Sequence, residues 1–389
     1  MLSGGYTLSP LSASLRSVTE TVDLASTSGE HQRGISHLLP GITLISEWPQ
    51  GSFIENLAAT HDGYLLVTVY SSNEIYQIDP QVSRSNRTLL ATFPSGPTGI
   101  AELDFNHFYI NVGSIGQRNT WNIYALSLHP GTSSNVSQRS IVSVDSALYL
   151  NGLCVLSYEH GTLLSVDSML GQIFKINIHT KQAEVWYEND LLKRRSHDVH
   201  VPGVNGIRRC AIDGCVYLTN TDRAIILRLE VDPFDYRPRG QLETIVRNIV
   251  CDDFTIDRTG AIYATTHAHS SLMRLTPVKD GEYLREEIAT EGLAGATSCV
   301  FGRTYQDRTR CSSIFNAIRT RGGSNRKIDR IIFIGNQPKQ RTFSCVKKVI
   351  QTIRSIIAMY IYHLIDLELI PKPRRFSLST ERLGSPRNT

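Results

Sequence analysis

One pattern recurs along most of the chain, from Glu55 to beyond Thr297. Each copy opens with a short polar stretch, passes through a Gly-centred turn into an apolar, β-branched run, and closes with another alternating strand. The clearest copies are ENLAATHDGYLLVTVYSSNEIYQID from Glu55, NGLCVLSYEHGTLLSVDSMLGQIFKIN from Asn151, NGIRRCAIDGCVYLTNTDRAIILRLE from Asn205 and DDFTIDRTGAIYATTHAHSSLMRLT from Asp252. Weaker copies begin at Thr98 and Thr297, so the six openings are 43, 53, 54, 47 and 45 residues apart.

This period is typical of β-propeller blades, which contain several short strands in roughly 40 to 50 residues, whereas helical solenoid units show 3.6-residue periodicity. The sequence therefore predicts an all-β, six-bladed β-propeller. A further short strand, TLISEW at Thr43 to Trp48, precedes the first copy. We expect it to act as an N-terminal clasp strand that completes the sixth blade from the other end of the chain and protects the sheet edges.

The two ends of the chain depart from the repeat. Residues 1–41 are predicted to be a mobile N-terminal lead and residues 42–335 the propeller, with an atypical basic tail over residues 336–389. The repeat is lost after Arg303, and Ile331 to Gly335 are interpreted as the late strand of blade six. Residues 343–370 have helical apolar spacing, which suits a membrane-surface or partner-binding helix, although their charges disfavour a membrane span. Alternatively, the tail is an extension outside the ancestral fold or results from an altered reading of the gene.

Composition limits the classes of partner that the protein is expected to bind. The net charge of +4 is small and comes mainly from the last seventy residues, so a nucleic-acid partner is not expected. Polar residues interrupt the N-terminus, as a secretory signal would not allow, and the seven cysteines show no CxxC spacing. The sequence therefore predicts a cytoplasmic protein that acts on a small molecule, and it leaves the oligomeric state open.

The six repeat openings are expected to form a ring, because the innermost strand of every propeller blade starts beside the central channel. The ring consists of Glu55, Thr98, Asn151, Asn205, Asp252 and Thr297. Two carboxylates and two amides that converge on one axis favour a cation between them, and oxygen ligands suit Ca²⁺ before Mg²⁺. A hydrated, hydrogen-bonded polar ring that only holds the blades in register is the alternative.

The order Glu, other, Asn, Asn, Asp, other resembles the metal site of the gluconolactonase, regucalcin and senescence-marker-protein family of six-bladed propellers. The resemblance covers about residues 42–310 and implies that Glu55, Asn151, Asn205 and Asp252 bind Ca²⁺. Finer strings, such as LNGLCVL, GVNGIR with YLTNT, and CDDFTID with IYATTH, are similar to a fungal subgroup from biosynthetic clusters. That subgroup includes hetero-Diels–Alderases, which join a quinone methide to an alkene.

Loops on the same face as the ring supply further candidates. Asp252 and His267 are the predicted catalytic groups, since a histidine titrates near neutral pH. Predicted substrate contacts are Tyr70, Thr98, Asn111, Asn220 and Thr297, with Gln117, Arg118, Asp167, Asp222 and His269 as other rim groups and Phe108 and Trp121 as aromatic ones. Any single rim side chain is as readily explained as a solvated loop residue.

Two enzyme functions fit these residues. The favoured hypothesis is a cyclase for a hetero-Diels–Alder [4+2] step in secondary-metabolite biosynthesis, which gains rate from orientation and from hydrogen bonds to a carbonyl. The alternative is a Ca²⁺-dependent lactone or ester hydrolase, in which Asp252 or a rim histidine activates water. A binding scaffold without catalysis stays open, because a propeller fold does not fix a function.

Overall fold

The computed structural model describes residues 42–49, 51–82, 87–129, 136–198, 201–266, 271–289, 295–304, 311–321 and 324–334. All of them belong to the same unit of the chain. The described residues form antiparallel strands and three short 3₁₀ turns, Tyr70–Ser72, Asp190–Leu192 and Lys279–Gly281. The predicted lead over residues 1–41, the tail over residues 336–389 and the helix over residues 343–370 lie outside the described residues.

Five sheets each contain four consecutive strands in antiparallel order. The first has β2 (Ile54–Ala59), β3 (Leu65–Val69), β4 (Glu74–Ile78) and β5 (Thr88–Thr92). The second has β6 (Gly96–Asp104), β7 (His107–Gly113), β8 (Asn122–Leu128) and β9 (Val136–Ser143). The third has β10 (Leu150–Ser157), β11 (Thr162–Asp167), β12 (Gln172–Asn177) and β13 (Gln182–Glu188). The fourth has β14 (Val204–Arg209), β15 (Val216–Asn220), β16 (Ile225–Val231) and β17 (Pro238–Arg247). The fifth has β18 (Phe254–Ile256), β19 (Ile262–Thr266), β20 (Ser271–Pro277) and β21 (Tyr283–Ala289).

One further sheet combines both ends of the described chain. It contains β1 (Ile42–Glu47), β22 (Cys299–Phe301), β23 (Cys311–Arg321) and β24 (Ser324–Ile334), in the order β1, β24, β23, β22. The register pairs Ile42 with Ile334 and Glu47 with Arg330. The predicted pairing of the clasp strand with residues near Ile331 is therefore confirmed.

The predicted all-β propeller class is confirmed, but the predicted count of six blades is not: five blades are made of consecutive strands, and one further sheet mixes strands from both ends of the described chain. The first strands of neighbouring sheets contact one another in the order β2, β6, β10, β14, β18, β22 and back to β2. Apolar side chains from the facing sheets fill the layers between them; Leu66 and Ile75 of the first blade, for example, pack against Phe108 and Ile110 of the second. The first strands therefore surround a central channel.

The interpretation of the residues after Arg303 needs a correction. The sequence repeat is lost there, but the chain forms a long hairpin in which β23 and β24 pair from Cys311 with Ile334 to Arg321 with Ser324. A Ser- and Arg-rich stretch carries little strand pattern by itself. It pairs here because β1 and β22 present sheet edges on either side, and such tertiary context overrides local preference.

We expect the clasp strand to be essential for stability. Ile45 and Trp48 are buried in the core beside Ile54 and Leu57, and burial of two large side chains contributes about 5 kcal/mol. Deletion through Trp48 should lower the melting temperature and cause aggregation, because the β24 edge becomes exposed. Thermal unfolding and size-exclusion chromatography test this, with deletion of residues 1–30 as the control. A soluble, equally stable protein lacking residues 1–48 would contradict the prediction.

Candidate active site

Four of the six ring positions coincide with irregularities in the innermost strand of a blade. The register of β2 against β3 shifts between Ile54 and Asn56, which places Glu55 at the shift. Equivalent shifts occur around Thr98, Asn151 and Asn205. Such bulges turn a side chain away from the regular alternation of a strand. The sequence repeat thus corresponds to a repeated backbone feature.

Hydrogen bonds between blades fix the height of the ring. In four blades the second strand donates a side-chain bond to the backbone carbonyl of the next ring residue. These bonds are Thr68 Oγ1 to Thr98 at 3.0 Å, Asn111 Nδ2 to Asn151 at 2.7 Å, Thr219 Oγ1 to Asp252 at 2.7 Å and Thr265 Oγ1 to Thr297 at 3.2 Å. Because each bond is local to two neighbouring blades, the series keeps the ring residues at one level.

The two threonines of the ring have structural contacts of this kind as well. Thr98 Oγ1 donates to the carbonyl of Leu150 at 2.7 Å, and Thr297 Oγ1 donates to that of Ile54 at 3.1 Å. Both side chains are buried. These bonds tie blade two to blade three and the mixed sheet to blade one, and they explain why threonine suits the two ring positions that lack a carboxylate or an amide. A substrate contact for either hydroxyl stays a prediction.

The Asn-Gly pairs of the repeat mark a close approach of strands and do not form turns. Asn151 and Gly152 lie inside β10. A Cβ atom on Gly152 would lie 2.5 Å from the carbonyl oxygen of Asn205 in the next blade. Glycine is therefore required there, because any side chain would push the innermost strands apart.

The structure brings Asn205, Asp252 and Glu55 together. Asn205 Nδ2 donates to Asp252 Oδ1 at 2.7 Å and to Thr221 Oγ1 at 3.0 Å, which leaves its own Oδ1 for a ligand. Glu55 is 5% exposed, and among the described residues no side chain or backbone group donates a hydrogen bond to its carboxylate. Asn151 occupies the equivalent place on β10, and its buried side chain makes no hydrogen bond within the described part of the chain.

Burial and mutual repulsion make these two carboxyl groups weak acids. Burial, then the charges of Asp252 and Asp253, raise the pKa of Glu55 well above its usual value. Burial, then the charge of Asp253, raise the pKa of Asp252 to about 8, although the hydrogen bond from Asn205 acts in the opposite direction. Without a bound cation, the pair therefore retains a proton near neutral pH.

Asp253 is a site residue that sequence reasoning missed. Its Oδ2 accepts bonds from Arg208 at 2.6 Å, from Asn56 Nδ2 at 3.1 Å and from Ser298 Oγ at 2.9 Å. These partners belong to blades four and one and to the segment that leads into β22. Asp253 follows the ring residue Asp252, so the available signal was its place in the repeat, where Asn56 and Ser298 also follow ring residues.

Tyr149 is the second missed residue. It is buried and stacks on Trp121, with ring centroids 6.0 Å apart. Burial, followed by the charges of Glu55 and Asp252, raises the pKa of its phenol well above the usual value, so it stays a hydrogen-bond donor. Tyr149 lies two residues before the ring residue Asn151, directly before β10 begins at Leu150. That spacing could have identified it.

An aromatic wall, made of Phe53, Tyr70 and Tyr149 with Trp121 packed behind Tyr149, follows the first three blades. Tyr70 stands edge-on to Phe53 at 5.8 Å, and its hydroxyl accepts a bond from the Ile115 backbone at 3.1 Å. The rings pack directly on glycines, since a Cβ on Gly96 or Gly113 would lie 2.3 Å from Tyr70 or Trp121 respectively. The hydroxyl proton of Tyr70 is left for another acceptor.

The prediction that Phe108 shapes the apolar half of the site is wrong. Phe108 is fully buried between blades one and two, where it packs with Leu66 and Ile75. It lies on β7, and the strand turns it into the interblade core and away from the loops. Trp121 is also fully buried, and it supports Tyr149 from behind.

Several predicted rim groups instead hold loops together. Asn220 is fully buried, and its Nδ2 donates to the carbonyls of Leu191, Leu192 and Lys193. Asn111 is equally buried between Asn151 and Ser165. Their side chains are committed to the fold, and substrate binding by either stays a prediction without support from these contacts.

Of the other predicted rim groups, two also stabilise loops and two are exposed. Asp167 accepts four backbone N–H bonds, from Leu148, Tyr149, Met169 and Leu170, and Asp222 accepts those of Arg195 and Ser196. Gln117 and Arg118 are exposed. The predicted catalytic His267, like His269, lies outside the described residues.

The residues of the ring suit a hard cation. Within the described ranges no cluster of three or more His, Cys, Asp or Glu side chains could hold a metal ion, so a cation here depends on the two amides. The free Oδ1 of Asn205 and the unbonded carboxylate of Glu55 are oxygen donors of the type that Ca²⁺ prefers. Glu55, Asn151, Asn205 and Asp252 therefore fit the ion chemically.

Fold and site together place the chain among β-propellers with a polar ring at the channel. It is 24% identical over 311 residues to a "putative hetero-Diels-Alderase" from Phoma sp, covering 68% of this chain and 84% of that protein. A luciferin-regenerating enzyme is similar in structure, with a TM-score of 0.54, 14% identity and coverage of 75% and 94% of the two chains. A calcium-binding protein, regucalcin, from Agrobacterium tumefaciens has a TM-score of 0.51, 13% identity and coverage of 76% and 96%.

These comparisons confirm the resemblance that the sequence motifs predicted. No family model matches the chain. The likeness to the solved structures shows the fold, since the identities are too low to transfer a function. In the described part of the chain, no helix has the length and apolar character needed to cross a membrane.

The carboxyl pair predicts an unusual dependence of stability on pH. The folded protein holds a proton on Asp252 up to about pH 8, whereas the unfolded chain releases it near pH 4. The free energy of unfolding should therefore fall as pH rises from about 4 to 8. When pH is raised from about 4 to 8 in the presence of a chelator, the melting temperature of Asp252→Asn should fall less than that of the wild type. Asp235→Asn, at an exposed loop, is the control, and parallel curves for all three proteins would contradict the assignment.

Proposed function

We propose that this protein is a cyclase that catalyses a [4+2] cycloaddition, in which a quinone-methide-type heterodiene reacts with an alkene. We treat the mixed sheet as the sixth blade and the channel mouth beside Glu55 and Asp252 as the reaction site. The observation that carries the proposal is a carboxyl pair with raised pKa values, the buried Glu55 and the half-buried Asp252, next to a buried phenol and an aromatic wall. The similarity to the Phoma protein supports the reaction class.

The polar side of this site suits the oxygen of a heterodiene. A protonated carboxyl group at Glu55 or Asp252 and the phenol of Tyr149 are neutral donors. Hydrogen bonds to the carbonyl oxygen would withdraw electron density from the diene and lower the barrier, and they strengthen in an environment that excludes water. No proton needs to be transferred in a pericyclic step, so the donors act by polarising and orienting.

The aromatic wall suits the apolar half of the reaction. Glycines beneath Tyr70 and Trp121 fix the ring positions, and Tyr149 is stacked from behind. Rigid flat surfaces can hold two reacting ends in one orientation, which is the main source of rate in a reaction without charged intermediates. Secondary-metabolite biosynthesis is the context in which such a reaction would occur.

A Ca²⁺-dependent lactone or ester hydrolase is the second candidate. It is favoured by one observation, the buried Glu55 carboxylate without a hydrogen-bond partner in the described structure. Glu55, Asn151, Asn205 and Asp252 would hold the ion, and Mg²⁺ is a weaker fit. When bound, Ca²⁺ would supply Lewis acidity toward a lactone carbonyl, and Asp252 or His267 would orient water.

Asp252→Asn separates the two functions. An asparagine still donates a hydrogen bond, so the cyclase should keep its rate within about tenfold, whereas a hydrolase that depends on the ion should lose orders of magnitude. Product formation and melting temperature are measured side by side with a quinone-methide and alkene pair and with a simple lactone, with and without chelator. Lactone hydrolysis that disappears on chelation, in a protein that stays folded, would overturn the cyclase proposal.

Truncation of the aromatic wall should strongly reduce cycloaddition, whereas Asp252→Asn should largely preserve it. Tyr70→Ala removes the ring that packs on Gly96 and should reduce cycloaddition about 100-fold, because misorientation of the reactants is costly. Phe234→Ala is the matched control, since that ring is 89% exposed on the fourth blade. Equal rates for Tyr70→Ala and Phe234→Ala, with equal melting temperatures, would argue against this site.

Tyr149→Phe tests the phenol as a donor. The ring and its stack on Trp121 remain, and only the hydroxyl is lost, so kcat for cycloaddition should fall about tenfold with little change in KM. Tyr64→Phe, in the turn after β2 at the other end of the channel, is the control. An unchanged kcat in Tyr149→Phe would remove the phenol from the mechanism and leave the carboxyl pair as the donor.

A further inference from the structure

Exposed apolar side chains are concentrated on the face of the propeller that lies opposite the ring. Among the described residues, six of the nine large apolar side chains that are exposed lie in turns at that end of the strands: Val82, Phe105, Tyr158, Ile212, Phe234 and Val278. The other three, Leu89, Val185 and Leu284, lie on outermost strands. Single exposed apolar residues are common on protein surfaces, whereas their concentration on one face indicates a contact surface.

These turn residues follow one another across neighbouring blades. Phe105 and Tyr158 line the same depression at the end of the channel. Beside Tyr158, the ring of His160 packs edge-on against Tyr236 at 5.6 Å. The turn that carries Tyr158 in blade three therefore lies next to the turn that carries Phe234 in blade four.

The series continues from blade four to blade five. A Cβ atom on Gly260 would lie 3.7 Å from Ile212 and 3.8 Å from Pro277, so these two side chains flank the same turn. Val278 directly follows Pro277. We call the resulting surface the apolar arc, made of Phe105, Tyr158, Phe234, Ile212 and Val278.

Acidic side chains accompany the apolar arc. Asp104 and Glu159 directly adjoin Phe105 and Tyr158 in the chain, and Asp62 lies in the corresponding turn of blade one. All three acidic residues are exposed. Within the described ranges, none of their carboxylates forms an ion pair. The surface therefore combines apolar and negatively charged groups.

The arginines of the depression leave this negative charge largely uncompensated. Arg208 pairs with Asp253 at 2.6 Å, and Arg303 pairs with Glu102. Arg209 forms no ion pair with any carboxylate of the described residues. Three exposed acids thus stand against one unpaired arginine around the depression, which favours a basic partner.

The described chain ends on the same face. Ile334, the last residue of β24, pairs with Ile42 at the start of β1, and β1 runs from there toward the ring end, where the chain enters β2. The innermost strand of this sheet, β22, is two strands away from β24, which is roughly 10 Å. Residues 335–342 can span up to about 30 Å. The chain that follows can therefore reach the depression, which Val300 of β22 also lines.

The segment over residues 343–370 has the composition that such a surface requires. It lies outside the described residues, and its sequence alone is used here. Apolar side chains recur three or four residues apart at Val346, Ile350, Ile353 and Ile357. Lys347, Lys348 and Arg354 occur among them, and the segment contains no acidic residue before Asp366. In a helix, this spacing gives an apolar stripe with a basic flank.

We propose that residues 343–370 bind to the apolar arc of their own chain as an amphipathic helix. In this arrangement the apolar stripe covers Phe105, Tyr158 and Phe234, and the basic flank lies against the exposed acids. Charge favours this occupant over a second copy of the chain, because a symmetric contact would bring the acidic surface against itself. The proposal does not depend on the cyclase assignment, since no ring residue takes part.

Limited trypsin digestion of the full chain tests the proposal, because cleavage of a bound segment depends on how often it is released. Cleavage after Lys347 is followed by mass spectrometry. In Phe105→Glu/Tyr158→Glu it should become about tenfold faster, while the melting temperature is kept because the two side chains are 66% and 67% exposed. Val185→Glu/Leu284→Glu is the matched control, since it alters two exposed apolar residues on outermost strands. The control should be cleaved at the wild-type rate.

A variant in the tail gives an independent measurement. Ile353→Glu leaves the propeller unaltered and should accelerate cleavage after Lys347 by about the same factor. Combined with Phe105→Glu/Tyr158→Glu it should add little, because both changes break the same contact. Equal cleavage rates in the wild type, in Phe105→Glu/Tyr158→Glu and in Val185→Glu/Leu284→Glu would overturn the proposal.

Size-exclusion chromatography with light scattering distinguishes the tail from a second copy as the occupant. We expect the wild type and Phe105→Glu/Tyr158→Glu to have the same mass in solution. A wild-type dimer that dissociates in this variant, while cleavage after Lys347 stays unchanged, would assign the face to a second copy and refute binding of the tail.

Discussion

The rest of the structure depends on hydrogen bonds between the innermost strands. The carbonyl of a ring residue points at the neighbouring blade, where no strand of its own sheet can pair with it. A buried carbonyl without a partner is costly, and Thr68, Asn111, Thr219 and Thr265 each supply one from the preceding blade. Because the same bond recurs, the ring residues have little freedom to move along the channel.

This constraint concentrates negative charge in one place. Glu55, Asp252 and Asp253 are held close together, and Asp253 pairs with Arg208 at 2.6 Å. Burial, and then the neighbouring carboxylates including Asp253, raise the pKa of both Glu55 and Asp252.

The sequence was most informative where the repeat and the backbone follow the same register. The ring positions and the clasp strand could be located because each copy of the repeat begins at the same structural point. Tyr149 and Asp253 were missed because they lie two residues before and one after a ring residue, where the copies differ. Phe108 was misassigned because a loop-side aromatic and an interblade aromatic look alike until the strand facing is known.

The two candidate functions differ in the occupant of one site and share everything else. With a proton between Glu55 and Asp252, the ring offers a neutral donor and suits a reaction that needs polarisation without charge transfer. With a cation between them, the same oxygens would be ligands, and the Oδ1 of Asn205 would also coordinate the cation. The site would then suit attack on an ester carbonyl. The ion pair between Asp253 and Arg208, at 2.6 Å, lies beside the ring in either case. The side chains of Asn151 and Asn205 therefore distinguish the two proposals, because they would be ligands only when a cation is bound.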